Sequence, residues 1–321
     1  MRETCVKMVY ELAKRDKRVV FIGSDLSPGL LKEMKQEFPD RYYMEGVYEA
    51  NLIGMAAGLA MEGYIPYFNT ISTFITRRCF EQIAIDVCMH DLPVRLIGNG
   101  GGVVYAPLGP THLATEDISI LRALPNMTIV AVNDAEEMKR FMLESIDWPH
   151  PIYIRLGKGS DAVVPMAADS FKIGKAITVH PAQHPQEELD ILLISTGVMT
   201  SRVVNVALQL QASSLNVMVL HCHTVKPLDE ACLLKFAKRT RLLVTVEENS
   251  LIGGLGSAVT DCLVESLGRD IPLIKRFGLP DRFPDKYGSQ DDLLDYYGLS
   301  VERMVKQIRS VLTAARDEIV I

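Results

Sequence analysis

Four short stretches of the chain place chemically capable side chains beside glycine or at the edge of an apolar run. In "GVYEANLIGMAAGLA", Glu49 opens a helix that continues with Leu52, Ile53, Met55, Ala56, Leu59 and Ala60. An acid in a first turn faces the positive end of the helix dipole. An acid held in an apolar pocket can instead be a catalytic group. "NTISTFITRRCFEQ" (69–82) opens a second helix with Ser72 or Thr73 as cap, Phe74 in the first turn, and Arg77 and Arg78 behind it. Phe74 reads either as core packing or as a face on which a flat heteroaromatic ring stacks. "NGGGVVYAPLGPTHLATED" (99–117) is a long glycine-rich loop, and its His112 is an acid–base candidate or a solvated loop histidine. "IYIRLGKG" (152–159) ends a strand with Arg155 and Lys158 beside glycine, cations suited to a phosphate or to an ordinary surface pair.

Two other motifs carry less. In "HCH" (221–223) the histidines share one face of a strand, but no nearby pair completes a four-ligand metal set. "IGGLGS" (252–257) lacks a lysine partner, so it reads as tight packing at a helix start rather than a phosphate cradle. The glycines of 99–109 are not a P-loop: no GKS or GKT follows, and no GxGxxG stands behind a strand at the right spacing.

The elements that must position these residues alternate. Short β-branched runs at 18–25, 66–70, 92–99, 127–132 and 151–157 are separated by helical patterns near 50–62, 73–89, 115–123 and 134–146. The stretch 158–189 loses this rhythm and reads as a linker. Alternation resumes with strands at 190–196, 216–222, 241–248 and 272–278 and helices near 198–212, 228–238 and 254–267. The expected organisation is α/β throughout, with a first domain over 1–160, a linker over 161–188 and a smaller second domain over 189–321. In open α/β sheets ligands bind beyond the carboxyl ends of the strands. Those ends here are Gly23-Ser24-Asp25, Asn69-Thr70, Asn99 to Gly102 and Gly157 to Gly159.

Composition narrows the function classes. Of 321 residues, 48% are hydrophobic and 23% charged, and the formal net charge is −6. That balance, with no basic stripe, argues against nucleic acid as a partner. No apolar run reaches the length of a membrane span, and the N-terminal "MRETCVKMVYELAKRDKR" is an amphipathic helix pattern without the features of a signal peptide. Six scattered cysteines without a CxxC read as reduced thiols in a cytoplasmic protein.

Taken together and in this order, the stretches resemble the thiamine-diphosphate-dependent transketolase family over essentially the whole chain. The match rests on "IGSDLSPG", "GVYEANLIGMAAGLA", "STFITRRCFEQI", "GPTHLATEDISILRALPNMTIVAV", "TVKPLD", "VTVEENSLIGGLGSAV" and "GLPDRF". It implies two doubly wound domains, a pyrimidine-binding domain and a smaller transketolase C-terminal-like domain. It further implies that Glu49 bonds a pyrimidine ring nitrogen of the cofactor. A carboxyl in an apolar pocket has its ionised form disfavoured, and so can share a proton with such a nitrogen. Phe74 would stack on the pyrimidine and Asp25 and Arg77 would lie at the cofactor. His112 would bond the donor ketose and assist proton transfer. Lys158 would hold a substrate phosphate, with Arg155 a second choice; Arg78 also reaches a phosphate in this reading, its roles and those of Arg77 being interchangeable on sequence.

The family holds the cofactor's diphosphate through magnesium with a GDG…N motif, and no GDG occurs in these 321 residues. The resemblance therefore implies half of a split enzyme. The metal ligands would lie on a partner subunit carrying the diphosphate-binding domain, in an α2β2 heterotetramer. At the position of a family aspartate four residues before the histidine stands Leu108, which accepts no hydrogen bond and suits a deoxygenated or otherwise unusual sugar. The expected activity is transfer of a two-carbon ketol unit between sugar phosphates. The alternatives are the β subunit of a 2-oxo acid dehydrogenase, a deoxyxylulose-phosphate-synthase-like enzyme, or a noncatalytic transketolase-like subunit.

Overall fold

The computed structural model describes residues 1–26, 29–157, 163–164 and 171–319, the last five of these by their backbone alone. The first half comprises strands β1 (Val19–Gly23), β2 (Tyr42–Met44), β3 (Ile65–Ile71), β4 (Arg95–Asn99), β5 (Thr128–Ala131) and β6 (Ile152–Leu156). Its helices are α1 (Arg2–Arg15), α2 (Lys32–Glu37), α3 (Glu49–Met61), α4 (Ser72–Arg77), the single turn α5 (Phe80–Gln82), α6 (Asp117–Arg122) and α7 (Ala135–Ser145). The second half adds β7 (Ile177–His180), β8 (Leu189–Ser195), β9 (Val217–His221), β10 (Thr224–Lys226), β11 (Thr240–Ser250) and β12 (Leu273–Leu279). With them come α8 (Met199–Gln211), α9 (Glu230–Ala237), α10 (Leu255–Leu267), α11 (Gln290–Tyr296) and α12 (Val301–Ile319).

The strands form two sheets, ordered β10-β5-β6-β4-β3-β1-β2 and β12-β11-β8-β9-β7. All pairings are parallel except those of the edge strands β10 and β7. Parallel strands covered by helices on both faces are apolar throughout rather than alternating, and β1 and β6 are buried along their whole length. On one face of the first sheet, Val9 and Leu12 of α1 and Phe141 and Met142 of α7 pack over Phe21 and Ile152. On the other, α3 lays Leu52, Ile53 and Ala56 against Phe68 and Leu96, and this cluster continues through Leu121 and Ile129 to Leu220 and Leu263 of the second half. The two domains therefore share one apolar body.

The expected strands are present within a few residues of their expected bounds, as are most of the expected helices, but the periodicity offers nothing for α2, α11 or the 19-residue α12. The helix expected over 73–89 is instead broken: α4 ends at Arg77, Cys79 leaves the helical region, and α5 runs into a π-type turn over Ile83–Cys88. Neither Ser72 nor Thr73 caps α4. β3 runs into the helix without a loop, so Ser72 is already helical and the cap position falls on Ile71, which has no side-chain acceptor. Residues 177–180, inside the 161–188 stretch, form β7, while most of 158–170 lies outside the described residues. The three-residue β10 leaves the second half altogether and pairs with β5, Thr224 opposite Val130. Segments of three or four residues are too short for a period to show.

Candidate active site

The carboxyl ends of β1, β3 and β4 meet at Glu49. The acid is 1% exposed in the first turn of α3. Thr70, near the end of β3, donates to its Oε1 at 3.4 Å, and the hydroxyl of Ser24, at the end of β1, lies 3.0 Å from Thr70 Oγ1 and 3.1 Å from Asp25 Oδ1, with one proton to donate to either. Asn99, the last residue of β4, crosses to the Asn69 side-chain oxygen at 2.7 Å and to the Thr70 carbonyl at 2.8 Å. Glu49 thus closes a row of polar groups that begins at the exposed Asp25.

Arg78 joins Glu49 to Phe74. Its Nη1 lies 3.3 Å from Glu49 Oε2, and its guanidinium carbon sits 4.1 Å from the centroid of the Phe74 ring. Arg78 closes α4 with helical dihedrals, four residues after Phe74, a spacing that sets its side chain over the first-turn aromatic; the chain leaves the helical region only at Cys79. On its remaining side Phe74 meets the His112 imidazole edge-on, centroids 5.3 Å apart at 64°. Thr111 Oγ1 lies 2.9 Å from His112 Nδ1. Glu49, Phe74, Arg78 and His112, which lie 63 residues apart at the extremes of the sequence, therefore form one cluster. A flat ligand entering on the Arg78 side of Phe74 must displace the guanidinium.

Arg77 faces away from this cluster. It forms an ion pair with Glu116, donates to Glu116 Oε2 at 3.0 Å, and donates to the Leu113 carbonyl at 2.9 Å, fastening α4 to the loop that carries His112. Arg155 is 6% exposed and is not a free phosphate cation in this arrangement. Its Nε bonds Asp117 Oδ2 at 2.8 Å and its Nη2 bonds the Glu248 carbonyl at 2.8 Å. Burial disfavours the Arg155 charge, but the Asp117 carboxylate outweighs it and holds the guanidinium above its ordinary pKa. Lys158, the first choice for a phosphate from sequence, lies outside the described residues. Leu108 is 52% exposed, on a short 3-10 turn, Ala106–Leu108, that precedes the turn ending at His112.

The other motifs are taken up by structure. His221 Nε2 lies 3.0 Å from Glu137 and its Nδ1 2.7 Å from Thr200, while His223 stacks on Phe171 at 4.1 Å. Burial pushes the His223 pKa down to about 3 and so keeps it neutral. At "IGGLGS" the Glu247 carboxylate accepts from the Leu255 and Gly256 amides at 2.7 and 2.8 Å, occupying the start of α10 that a phosphate would need. Burial raises the Cys5 and Cys79 thiols to about 12, so both are protonated and unreactive. Sequence reasoning marked Thr70 only as part of a strand end and did not single out Asp117 or Glu248. The signal for Glu248 was present in the adjacent acids of "VTVEEN", two charges inside an apolar strand.

A family model described as the transketolase pyrimidine binding domain matches residues 1–161, and one described as the transketolase C-terminal domain matches residues 181–304. The 6-deoxy-6-sulfo-D-fructose transketolase subunit SqwH of a Clostridium species is 34% identical over 312 residues, covering 97% of this chain and 94% of that protein. The 1-deoxy-D-xylulose-5-phosphate synthase of Desulforudis audaxviator is 34% identical over 305 residues, covering 95% of the chain but 47% of the synthase, so the chain spans about half that protein's length. A solved structure described as a split gene transketolase, inactive beta4 tetramer, superposes with a TM-score of 0.86 at 32% identity, covering 97% of this chain and 98% of the other. The transketolase of Campylobacter jejuni, at 18% identity and a TM-score of 0.74, shares the fold over 94% of this chain and 45% of its own. The chain belongs to the transketolase family, and its two halves are that family's pyrimidine-binding and C-terminal domains.

Proposed function

We propose that the chain is the pyrimidine-side subunit of a thiamine-diphosphate-dependent transketolase that moves a two-carbon ketol unit between sugar phosphates. A second chain supplies the diphosphate-binding domain and the magnesium ligands, in a cytoplasmic α2β2 heterotetramer. The division into 1–160, 161–188 and 189–321 is part of this reading. The observation that carries it is the cluster at the strand ends: a buried carboxylate, Glu49, 3.3 Å from a guanidinium that lies on the face of Phe74, with His112 against the same ring. The split arrangement is supported by the 32% identity and near-complete overlap with the split gene transketolase chain.

The residues present fit a bound aminopyrimidine. Glu49 offers an acceptor in a dry setting, and Phe74 offers an aromatic face. Thr73 Oγ1 and Asn99 Oδ1 are buried with no hydrogen-bond partner among the described residues. Thiamine diphosphate, when bound, supplies a nucleophilic carbon that protein side chains lack. Glu49 would bond the pyrimidine nitrogen, Phe74 would orient the ring, and Asp25 lies at the edge of the site. His112 bonds the donor ketose and moves a proton at its imidazole. Arg77 serves the cofactor site through the loop it fastens, Arg78 and Lys158 hold substrate phosphate, and Arg155 acts as a buried clamp. Leu108 offers no acceptor to a sugar hydroxyl, which suits a modified sugar; a relative named for a 6-deoxy-6-sulfo sugar supports that choice.

Glu49→Gln in the complex reconstituted with a diphosphate-domain chain tests the assignment. Turnover is expected to fall about 10²- to 10⁴-fold, and unchanged turnover overturns it. A 1-deoxy-D-xylulose-5-phosphate-synthase-like reaction is the second reading, favoured by the relative of that name. Release of carbon dioxide from a 2-oxo acid together with formation of a ketose phosphate selects it, whereas release without ketose turnover marks the 2-oxo acid dehydrogenase reading.

A further inference from the structure

We propose that Glu248, from the C-terminal domain, is a positioning residue for His112: it holds the glycine loop in the register that sets the imidazole against Phe74. Successive side chains of a strand point to opposite faces. In β11, Glu247 turns toward α10, and Glu248 turns toward the loop after β4. Glu248 is 2% exposed, and its Oε1 accepts from the Val103 amide at 2.7 Å. Gln290, at the start of α11, donates to the two carboxylate oxygens at 3.0 and 2.9 Å and fixes the side chain from behind.

The loop is built around this contact. Gly102 has φ +66°, and a Cβ there would stand 2.4 Å from Glu248 Cγ, so only glycine admits the carboxylate at this distance. Gly102 and Ala114 exchange amide-to-carbonyl bonds, each of 2.9 Å, which closes the loop at its base. Arg155 Nη2 reaches the Ala114 carbonyl at 3.3 Å and the Glu248 carbonyl at 2.8 Å, tying the base of the loop to the strand that carries the acid. Beyond Val103 the chain turns twice, with Ala106 N–H to the Val103 carbonyl and His112 N–H to the Gly109 carbonyl, both at 3.0 Å. Val103, Ala106 and Leu113 pack in the core of the second domain with Val246 and Leu279. His112 therefore belongs to the first domain by sequence but is seated on the second.

A stabilising role alone does not account for the acid. Burial disfavours its charge, against the opposing pull of Arg155, and raises its pKa to about 7. An apolar side chain of the same length, such as methionine, would avoid that cost while filling the same space. What only an acceptor at this point supplies is a partner for the Val103 amide.

The test compares two neutral variants of the full chain that differ in that acceptor. Glu248→Gln keeps a carbonyl oxygen for Val103, and Glu248→Met keeps the length and removes it. Amide hydrogen exchange at Val103 and across 99–114 is expected to rise about tenfold in E248M, the equivalent of one lost hydrogen bond, and to stay near wild type in E248Q. Peptides of β8 should be unchanged in both. The His112 ring resonances should move in E248M and return in E248Q, which an acid without influence on the imidazole would not produce. Equal behaviour of the two variants, at wild-type or at raised exchange, overturns the proposal. Gln290→Ala is a second, milder variant, expected to raise exchange at Val103 by about threefold; no change there overturns it independently. The proposal rests on the reading of His112 as a site residue. Exchange and ring resonances report the loop whether or not ketol transfer occurs, whereas turnover of His112→Asn reports that reading separately.

Discussion

At the residue scale, Arg78 does two things at once. It neutralises a carboxylate that is almost wholly buried, and it covers an aromatic face that a cofactor ring would use. Its own side chain is 47% exposed, so its hold is that of a surface contact, on the order of 0.5–1 kcal/mol for the cation–π part. Removing it should free the Phe74 face. Arg78→Ala is expected to tighten thiamine diphosphate binding about two- to fivefold by calorimetric titration. If Arg78 also reaches substrate phosphate, the KM for a sugar phosphate rises in the same variant while kcat holds, and the two measurements separate the roles. This residue shows where sequence reading stops. Arg77 and Arg78 are adjacent cations of the same type, about 100° apart around α4, and only the packing of the helix turns one toward Glu49 and the other toward Glu116.

At the element scale, β11 and α6 carry charge into the space between the sheets. Glu247 is buried at the start of α10, and burial pushes its pKa up to about 7 against the pull of the Gly256 and Leu255 amides. A carboxyl with a folded-state pKa above its unfolded value binds the proton more tightly when folded. Its contribution to stability is therefore complete below the ordinary value of 4.5 and lost as pH rises through about 7. Glu247→Gln should flatten the fall of unfolding free energy across that window by on the order of 3 kcal/mol, read from denaturant titrations at a series of pH values. Asp117 and Arg155 behave differently, because each satisfies the other: Nε to Oδ2 at 2.8 Å and Nη2 to Oδ1 at 3.1 Å, both side chains buried. Breaking one partner strands a charge. Asp117→Ala is expected to cost about 3–5 kcal/mol, and Asp117→Ala with Arg155→Met substantially less than the sum of the two single changes. A strictly additive double-variant cycle would contradict this.

At the scale of the whole molecule, the second domain is a working part of the first. β10 adds an antiparallel edge to the first sheet. Ser119 and Arg122 of α6 bond the Ile252 and Gly253 carbonyls. The loop bearing His112 packs in the second domain's core. The proposed site is nonetheless one-sided: a carboxylate, a ring face and an imidazole stand on this chain, while the diphosphate side is assigned to another. The chain alone is therefore expected to show no ketol transfer. Mixing it with a chain that carries the diphosphate-binding domain should yield an α2β2 species by light scattering and restore turnover together. Turnover by the chain alone, or a mixed species without turnover, counts against the split arrangement.

Much of this architecture was legible in the residues. Parallel strands covered on both faces must be apolar along their length, so VVFIG, IYIRL and LDILLIS stood out as strands. Their glycine and polar ends marked the side on which open α/β sheets bind ligands. Glu49, Phe74 and His112 were candidates on their types, each with an ordinary structural reading beside it, and the order of the motifs, through the resemblance they carry, is what set them apart. What stayed hidden depended on contacts across long separations. β7 and β10 are too short to show a period and exist because a neighbouring edge pairs with them. Arg155 looked like a phosphate cation until Asp117, 38 residues away, was brought against it. Glu248 and Val103 are 145 residues apart, and no spacing along the chain announces that one holds the other. The sequence by itself determined the alternation of elements and the kinds of side chain offered at the strand ends, since both follow from local pattern. The tertiary structure alone decided which charges are consumed as clamps and which remain for a ligand, since partnership between charges is set by distance in space.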